Sequence, residues 1–312
     1  MKKEHKNNFK LLVLSLSISV FSIAAARASE NGLGHYPVGV NTVAAGILPT
    51  PGKAEVATYS LYSNDTYFAG ADGNGVVPGF DSSVATLVPR TLYTLPKEIP
   101  WLNLPLTVGL VVPFVNLNLN TPGGHGHILG VGDIDFEADV QLNNPEKGFF
   151  SYAGLVTYFP TGSYNKYKIA NLGLNYYTFH PQYAATWFAN RNLEFDGNVS
   201  MSFNTENTAT YYHSGAQFYA EYAANYRIMP NIFPSLYLGM QGFAQKQIQD
   251  DTKNGNVFRN GNKVQAFGVG PQVAYYMFHN QGGLILKYIH EYSVRNQSHG
   301  DQVWLEFAVP IG

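Results

Sequence analysis

The sequence contains no cysteine, so neither disulfides nor thiolate metal sites are open to it. Charge is scarce: Asp, Glu, Lys and Arg make up 13% of the chain, about half the usual globular share. Beyond the first 28 residues no uninterrupted apolar stretch approaches 18 residues, so no transmembrane helix can be drawn there. Basic residues are also in deficit. Residues 1–28 hold five of the 19 Lys and Arg and one of the 21 Asp and Glu, leaving 14 basic and 20 acidic side chains, net −6. That balance argues against nucleic acid as a partner. No Gly-x-Ser-x-Gly elbow occurs, and a hydrolase reading loses its usual signature with it.

What the chain does have begins with a processing segment. Lys2, Lys3, Lys6 and Lys10 form a positive region, Leu11 to Ala26 is apolar, and Ala26-Arg27-Ala28 offers the small-x-small pattern of a cleavage site. We read residues 1–28 as a signal peptide cut after Ala28; an uncleaved membrane anchor is the alternative. The remainder is rich in aromatics, at 14% of the chain with 22 Tyr and 20 Phe. A secreted, aromatic-rich chain without a spanning helix can cross lipid only as a closed β-barrel, because open backbone groups cannot stay unpaired there.

Periodicity supports that solution. Ile134, Phe136, Ala138, Val140 and Leu142 alternate with Asp133, Asp135, Glu137, Asp139 and Gln141. Leu193, Phe195, Val199, Met201 and Phe203 alternate with Glu194, Asp196, Asn198, Ser200 and Ser202. Such period-two patterns give one lipid face and one water face. The expected strands are 53–62, 83–95, 105–117, 133–142, 149–159, 176–188, 193–204, 215–228, 235–248, 262–278, 283–295 and 301–311. Short Asn/Pro/Gly turns alternate with longer polar loops, among them Asn118–Gly132 and Pro160–Asn175. Short periplasmic turns opposite longer external loops define an all-β fold, a single antiparallel transmembrane β-barrel of about 12 strands. The even count puts both termini on the periplasmic side. The barrel occupies 53–312, and residues 29–52 are an N-terminal leader that either plugs the lumen or stays ordered in the periplasm. Leu106 to Leu117 is apolar on both faces, as if its inner face met something inside.

Candidate site residues follow from strand parity. Asp133, Asp135, Glu137 and Asp139 form an inward acidic row, roughly 7 Å apart along one strand. Glu194, Asp196, Glu221, Arg227, Lys287, Glu291, Arg295 and Glu306 share the lumen-lining parity. They form either a cation-favouring constriction or a buried network in which Arg227, Lys287 and Arg295 pair the carboxylates. His125 and His127 lack a third ligand nearby in sequence, so we assign no metal and no cofactor. His290 has outward parity between Tyr288 and Tyr292; it belongs to an aromatic girdle or, in a barrel-embedded hydrolase, to a rim catalytic site. The pairs Tyr176-Tyr177, Tyr211-Tyr212 and Tyr275-Tyr276 suit girdle positions and strand ends.

The stretches "YFPTGSYNKYKIANLGLNYYTFHPQYAATWF" and "FNTENTATYYHSGAQFYAEYA" carry a family resemblance. So do "GHYPVG", "GVGDIDFEADV", "GPQVAYY" and "LILKYIHEYSVRNQSHGDQVWLEF". In that order and spacing, from about Gly32 to Pro310, the chain resembles the outer-membrane proteins of the MetA-pathway phenol-degradation family. The resemblance implies a bacterial outer-membrane barrel for passive uptake of small hydrophobic or aromatic compounds. Its expected partners are outer-membrane lipid, those solutes and, during insertion, the barrel-assembly machinery. One departure is the ending Pro310-Ile311-Gly312, where such barrels often end on an aromatic; Phe307 then supplies that signal. Two other readings stay open: a structural or adhesive barrel with a sealed lumen, and a barrel enzyme.

Overall fold

The structure, a computed structural model, describes residues 34–277 and 282–311. The expected signal peptide and the first residues of the leader lie outside the described residues. The chain folds as a closed antiparallel barrel of 12 strands. These are β1 (Ala54–Phe68), β2 (Asp81–Thr94), β3 (Leu106–Val111, resumed as Phe114–Thr121) and β4 (Gly124–Val131, resumed as Asp135–Gln141). There follow β5 (Phe149–Tyr158), β6 (Thr178–Asn190), β7 (Leu193–Asn204), β8 (Gln217–Arg227), β9 (Leu236–Gln247), β10 (Gln265–Met277), β11 (Gly282–Arg295) and β12 (Ser298–Ile311). Each strand pairs with its neighbour in sequence, and β1 also pairs with β12, from Ala54↔Ile311 to Phe68↔Ser298. That last ladder leaves no free edge at the seam.

The alternation in sequence is what makes the wall two-faced. Asp135, Glu137, Asp139 and Gln141 of β4 are buried, while Phe136 between them is exposed. Phe179, Tyr183 and Trp187 of β6, Phe218, Tyr222 and Tyr226 of β8, and Leu284, Leu286 and Tyr288 of β11 are also exposed. An apolar belt of this extent is untenable in water. Lipid covers such a belt in a membrane barrel.

Two of the expected strands are longer than their alternation suggested. Asn118–Gly132 is not an open loop: Phe114–Thr121 and Gly124–Val131 form a hairpin with register Phe114↔Val131 to Thr121↔Gly124. Its Gly, Asn and His residues read locally as loop chemistry, yet cross-strand pairing with Val115, Leu117 and Leu119 wins. Both strands break halfway. Pro113, which has no N–H to give a ladder, interrupts β3, and Gly132–Ile134 interrupts β4; Gly132 N–H then bonds Pro113 O at 2.8 Å.

Above this break the wall changes character. β5 pairs only with the lower part of β4, Asp135↔Tyr158 to Gln141↔Tyr152. Gly124–Val131 therefore has no strand partner on its far edge among the described residues. The 159–177 loop packs there instead, close enough that a methyl on Gly126 or Gly130 would meet Ala170 or Leu172.

The leader occupies the lumen. Residue 34 lies at the end carrying the long loops, beside Gln217 and Tyr219 of β8. Pro49 and Gly52 lie at the turn end, where Gly52 N–H bonds Thr94 O at 2.9 Å and Pro49 O accepts from Thr94 Oγ1 at 2.7 Å. The described chain thus runs from the loop end through the lumen and turns into β1 at the turn end. Val43 packs on Tyr237, Ala274 and Tyr276, and Ala45 and Leu48 pack on Leu92, Tyr152 and Ala184. Gly46 touches the wall itself: a methyl there would collide with the backbone of Phe150 and of Ala185–Thr186.

Candidate functional site

The leader from Gly34 to Gly52 has no Asp, Glu, Lys or Arg, and its one imidazole is His35. Its polar capacity is its backbone, and unpaired backbone groups must find partners when buried. The inward carboxylates supply them. Glu221 accepts the Gly39 N–H, the Asn41 N–H at 3.3 Å and the Tyr36 hydroxyl at 2.5 Å. Glu194 accepts Ala44 N–H at 3.3 Å and Tyr276 hydroxyl at 2.6 Å; Asp196 accepts Ala45 N–H at 3.0 Å and Thr186 Oγ1 at 2.7 Å. Gly46 N–H reaches Thr186 Oγ1 at 2.9 Å. On the opposite side Lys287 Nζ donates to Gly39 O and Val40 O while pairing with Glu306 at 2.7 Å. Gln272 brackets Thr42, accepting from its hydroxyl and donating to its carbonyl.

The upper leader is held by rings. His35 stacks on Tyr158 with centroids 5.0 Å apart and meets Tyr176 edge-on; Tyr36 stacks on His180 at 4.4 Å. His35 Nε2 lies 2.9 Å from Asp133, whose carboxylate also accepts Gly162 N–H and Leu174 N–H from the 159–177 loop. Asp133 thus ties the leader and that loop to the break in β4.

The acidic row on β4 is not a single device. Asp133 clamps, Glu137 is bound by Arg90 through Nε and Nη2 at 2.6 Å each, and Asp139 accepts from Gln182 at 3.1 Å. Asp135 faces a cavity. Of the other expected lumen residues, Glu291 is buried and accepts from Gln302 at 2.8 Å. Arg227 closes the turn end of β8, bonded to Asn192 and Pro234 rather than to a carboxylate. Arg295 is exposed, because Ser293 at φ 52° and a register shift against β10 form a bulge that reverses the parity of β11. A network built on Arg227, Lys287 and Arg295 is therefore corrected to Lys287–Glu306 and Arg90–Glu137. Arg90 carries no sequence signal beyond its place on a poorly alternating strand.

Two cavities flank the leader. One of about 400 Å³ lies toward the loop end, between the leader and β1–β4; Leu61, Val84, Val115 and Leu117 line one side and Asp133, Asp135 and Glu137 the other. The inner apolar face of β3 thus borders open space rather than the leader. A smaller cavity of about 80 Å³ lies toward the turn end, against Ala57, Gly283 and Ala308. Val40, Asn41, Tyr59 and Arg90 line both. Arg90 Nη1 donates to Tyr59 at 3.1 Å, forming the waist between them.

The remaining candidates stand apart. His125 and His127 are exposed on the hairpin, bonded to Asn120 and Asn116, and no metal-ligating group of three occurs among the described residues. His290 is exposed and bonds Asp301 at 2.8 Å, as does Tyr288 at 2.9 Å. Of each tyrosine pair one ring is buried (Tyr176, Tyr212, Tyr276) and one exposed (Tyr177, Tyr211, Tyr275).

A closed barrel with an apolar outer belt and a polar, leader-filled lumen defines an outer-membrane β-barrel. The sequence matches the family described as "Putative MetA-pathway of phenol degradation" over residues 68–307, and the chain belongs to that family. None of the curated proteins matches it. Among solved structures it is similar to the COG4313 outer membrane channel from Pseudomonas putida F1, at 17% identity and TM-score 0.72, covering 88% of this chain and 100% of that one. The likeness to the β domain of the Bordetella autotransporter BrkA is weaker, at 9% identity and TM-score 0.43 over 83% and 99% of the two chains.

Proposed function

We propose that this barrel is an outer-membrane channel for passive uptake of small hydrophobic or aromatic compounds, gated by its leader. The observation that carries the reading is the pair of cavities meeting at Tyr59 and Arg90, which traces a narrow route past the leader from the loop end to the turn end. A route lined by Leu61, Val84, Val115 and Leu117 suits an apolar body better than a hydrated sugar. Solute enters from the external loops or, sideways from lipid, past the edge of Gly124–Val131 that no strand covers. The printed description of the Pseudomonas putida barrel as a channel supports the same reading. An enzyme is not favoured: the His290–Asp301 pair has no serine bonded to it among the described residues.

The test is entry of phenol and of small sugars into liposomes holding the mature protein, measured as initial rates above those of empty liposomes. The intact protein passes phenol and excludes sugars. A variant lacking residues 30–52, with its folded barrel checked by gel mobility before and after boiling, admits both. If neither form passes either solute, the lumen is sealed and the structural reading replaces transport.

A further inference from the structure

Buried polar groups are almost always hydrogen-bonded, and an exception asks for a missing partner. The Asp135 side chain is such a case. The residue is 6% exposed and lines the cavity of about 400 Å³. Its carboxylate, which reaches that open space, takes no side-chain hydrogen bond from the described residues, while its backbone is paired in the ladder with β3 and β5. Its neighbours on the strand are saturated: Asp133 by His35, Gly162 and Leu174, and Glu137 by Arg90. Across the cavity the wall is mostly apolar, with Leu61, Val84, Val88, Val115 and Leu117 beside Ser63, Asp65 and Thr86.

We infer that this cavity is a binding subsite for amphiphiles with an apolar body and a hydrogen-bond-donating head, a hydroxyl or an ammonium, which Asp135 receives. The inference rests on the channel reading above and names the solute class that the channel selects. The apolar body lies on the β1–β3 side and the head turns toward β4. A carboxylate head is excluded, because it would face Asp133, Asp135 and Glu137, while Arg90 is already engaged by Glu137 and His35 by Asp133. Aromatic alcohols and amines are therefore admitted and aromatic acids refused. Asp135 is the residue that sets this choice.

Benzyl alcohol, benzylamine, toluene and benzoate share a ring and differ in the head, so they isolate it. The mature protein in lipid nanodiscs is titrated with each by calorimetry, against empty nanodiscs. The alcohol binds roughly three- to tenfold more tightly than toluene, the increment of one net hydrogen bond. The amine binds at least as tightly as the alcohol, and benzoate more weakly than toluene. Asp135→Leu brings alcohol and toluene together. Asp135→Asn, which keeps an acceptor and removes the charge, retains the alcohol and improves benzoate. Equal binding of alcohol and toluene by the unaltered protein, or a preference surviving Asp135→Leu, overturns the inference. Head-group selectivity without any flux in liposomes would leave the subsite standing and sink the channel reading instead.

Discussion

The two sides of the lumen carry the same chemistry and use it differently. On β7 and β8, Glu194, Asp196 and Glu221 meet the leader and accept its backbone N–H groups. On β4, one strand of similar acidity, Asp133 holds the external loop, Glu137 holds Arg90, and Asp135 faces open space. Burying a carboxylate costs free energy unless hydrogen bonds or opposite charge offset it. The leader provides that offset on one wall without any charged side chain of its own, since oriented N–H dipoles bind anions well. Between Pro37 and Leu48 the leader makes no hydrogen bond to β4 among the described residues, and there the cavity remains; it regains one only where Gln141 donates to Pro49 O at 2.8 Å. A plug held along one side of a barrel leaves a slot along the other.

The largest effect should come from loosening the held side. Glu221→Ala removes the acceptor for Gly39, Asn41 and Tyr36 at once. Hydrogen bonds to a charged group contribute about 1.5–3 kcal/mol each and are not additive, so the leader should lose on the order of 3 kcal/mol of its hold on the wall. Amide exchange at Gly39 and Asn41 is the direct measurement, with acceleration by roughly a hundredfold expected. Sugar entry into liposomes should rise with it. Unchanged exchange would show that Lys287 and Gln272 hold the leader unaided, and the contrast between the walls would lose its cause.

How much of this was legible in the sequence depends on which group carried the information. Strands such as 193–204 were readable because lipid and a polar lumen impose opposite demands on successive side chains. The inward parity of Glu194, Asp196 and Glu221 was readable for the same reason, but their partners were not: backbone N–H groups have no side-chain signature. The hairpin at 118–132 was obscured because Gly, Asn and His favour turns locally, while its pairing is decided by the partner strand. Arg295 was misplaced by one bulged residue at Ser293, since parity is lost whenever a strand gains a residue. Arg90, at the waist between the cavities, was hidden in a strand whose inner face is itself largely apolar, with Val84, Val88 and Leu92, and so shows little alternation.

The same substitution on each wall sharpens the comparison with a smaller effect. Asp196→Asn replaces one acceptor oxygen by a donor where Ala45 N–H, Thr186 Oγ1 and Asn225 Nδ2 all donate. A buried donor left facing donors costs about 1–3 kcal/mol. Asp135→Asn breaks no hydrogen bond among the described residues and should shift stability by no more than about 0.5 kcal/mol in either direction. Urea unfolding of the two variants in lipid vesicles separates the cases. Equal losses would mean that Asp135 has a structural partner after all, and the subsite would lose its acceptor.

A single-group effect is expected at Tyr36, and it tests what the anchor is made of. Tyr36→Phe removes the hydroxyl that donates to Glu221 at 2.5 Å and accepts from Asn41 Nδ2 at 3.1 Å. The stack on His180, with centroids 4.4 Å apart, needs only the ring and should persist. Glu221 keeps its two backbone donors, Gly39 and Asn41. The leader should therefore stay seated at a cost of about 1.5 kcal/mol, read as a roughly tenfold rise in amide exchange at Gly39 that stays well below that of Glu221→Ala. If the two variants exchange alike, the phenol hydroxyl rather than the backbone carries the hold. In that case the acidic wall recognises one side chain of the leader, not the run of N–H groups that distinguishes it from the wall across the lumen.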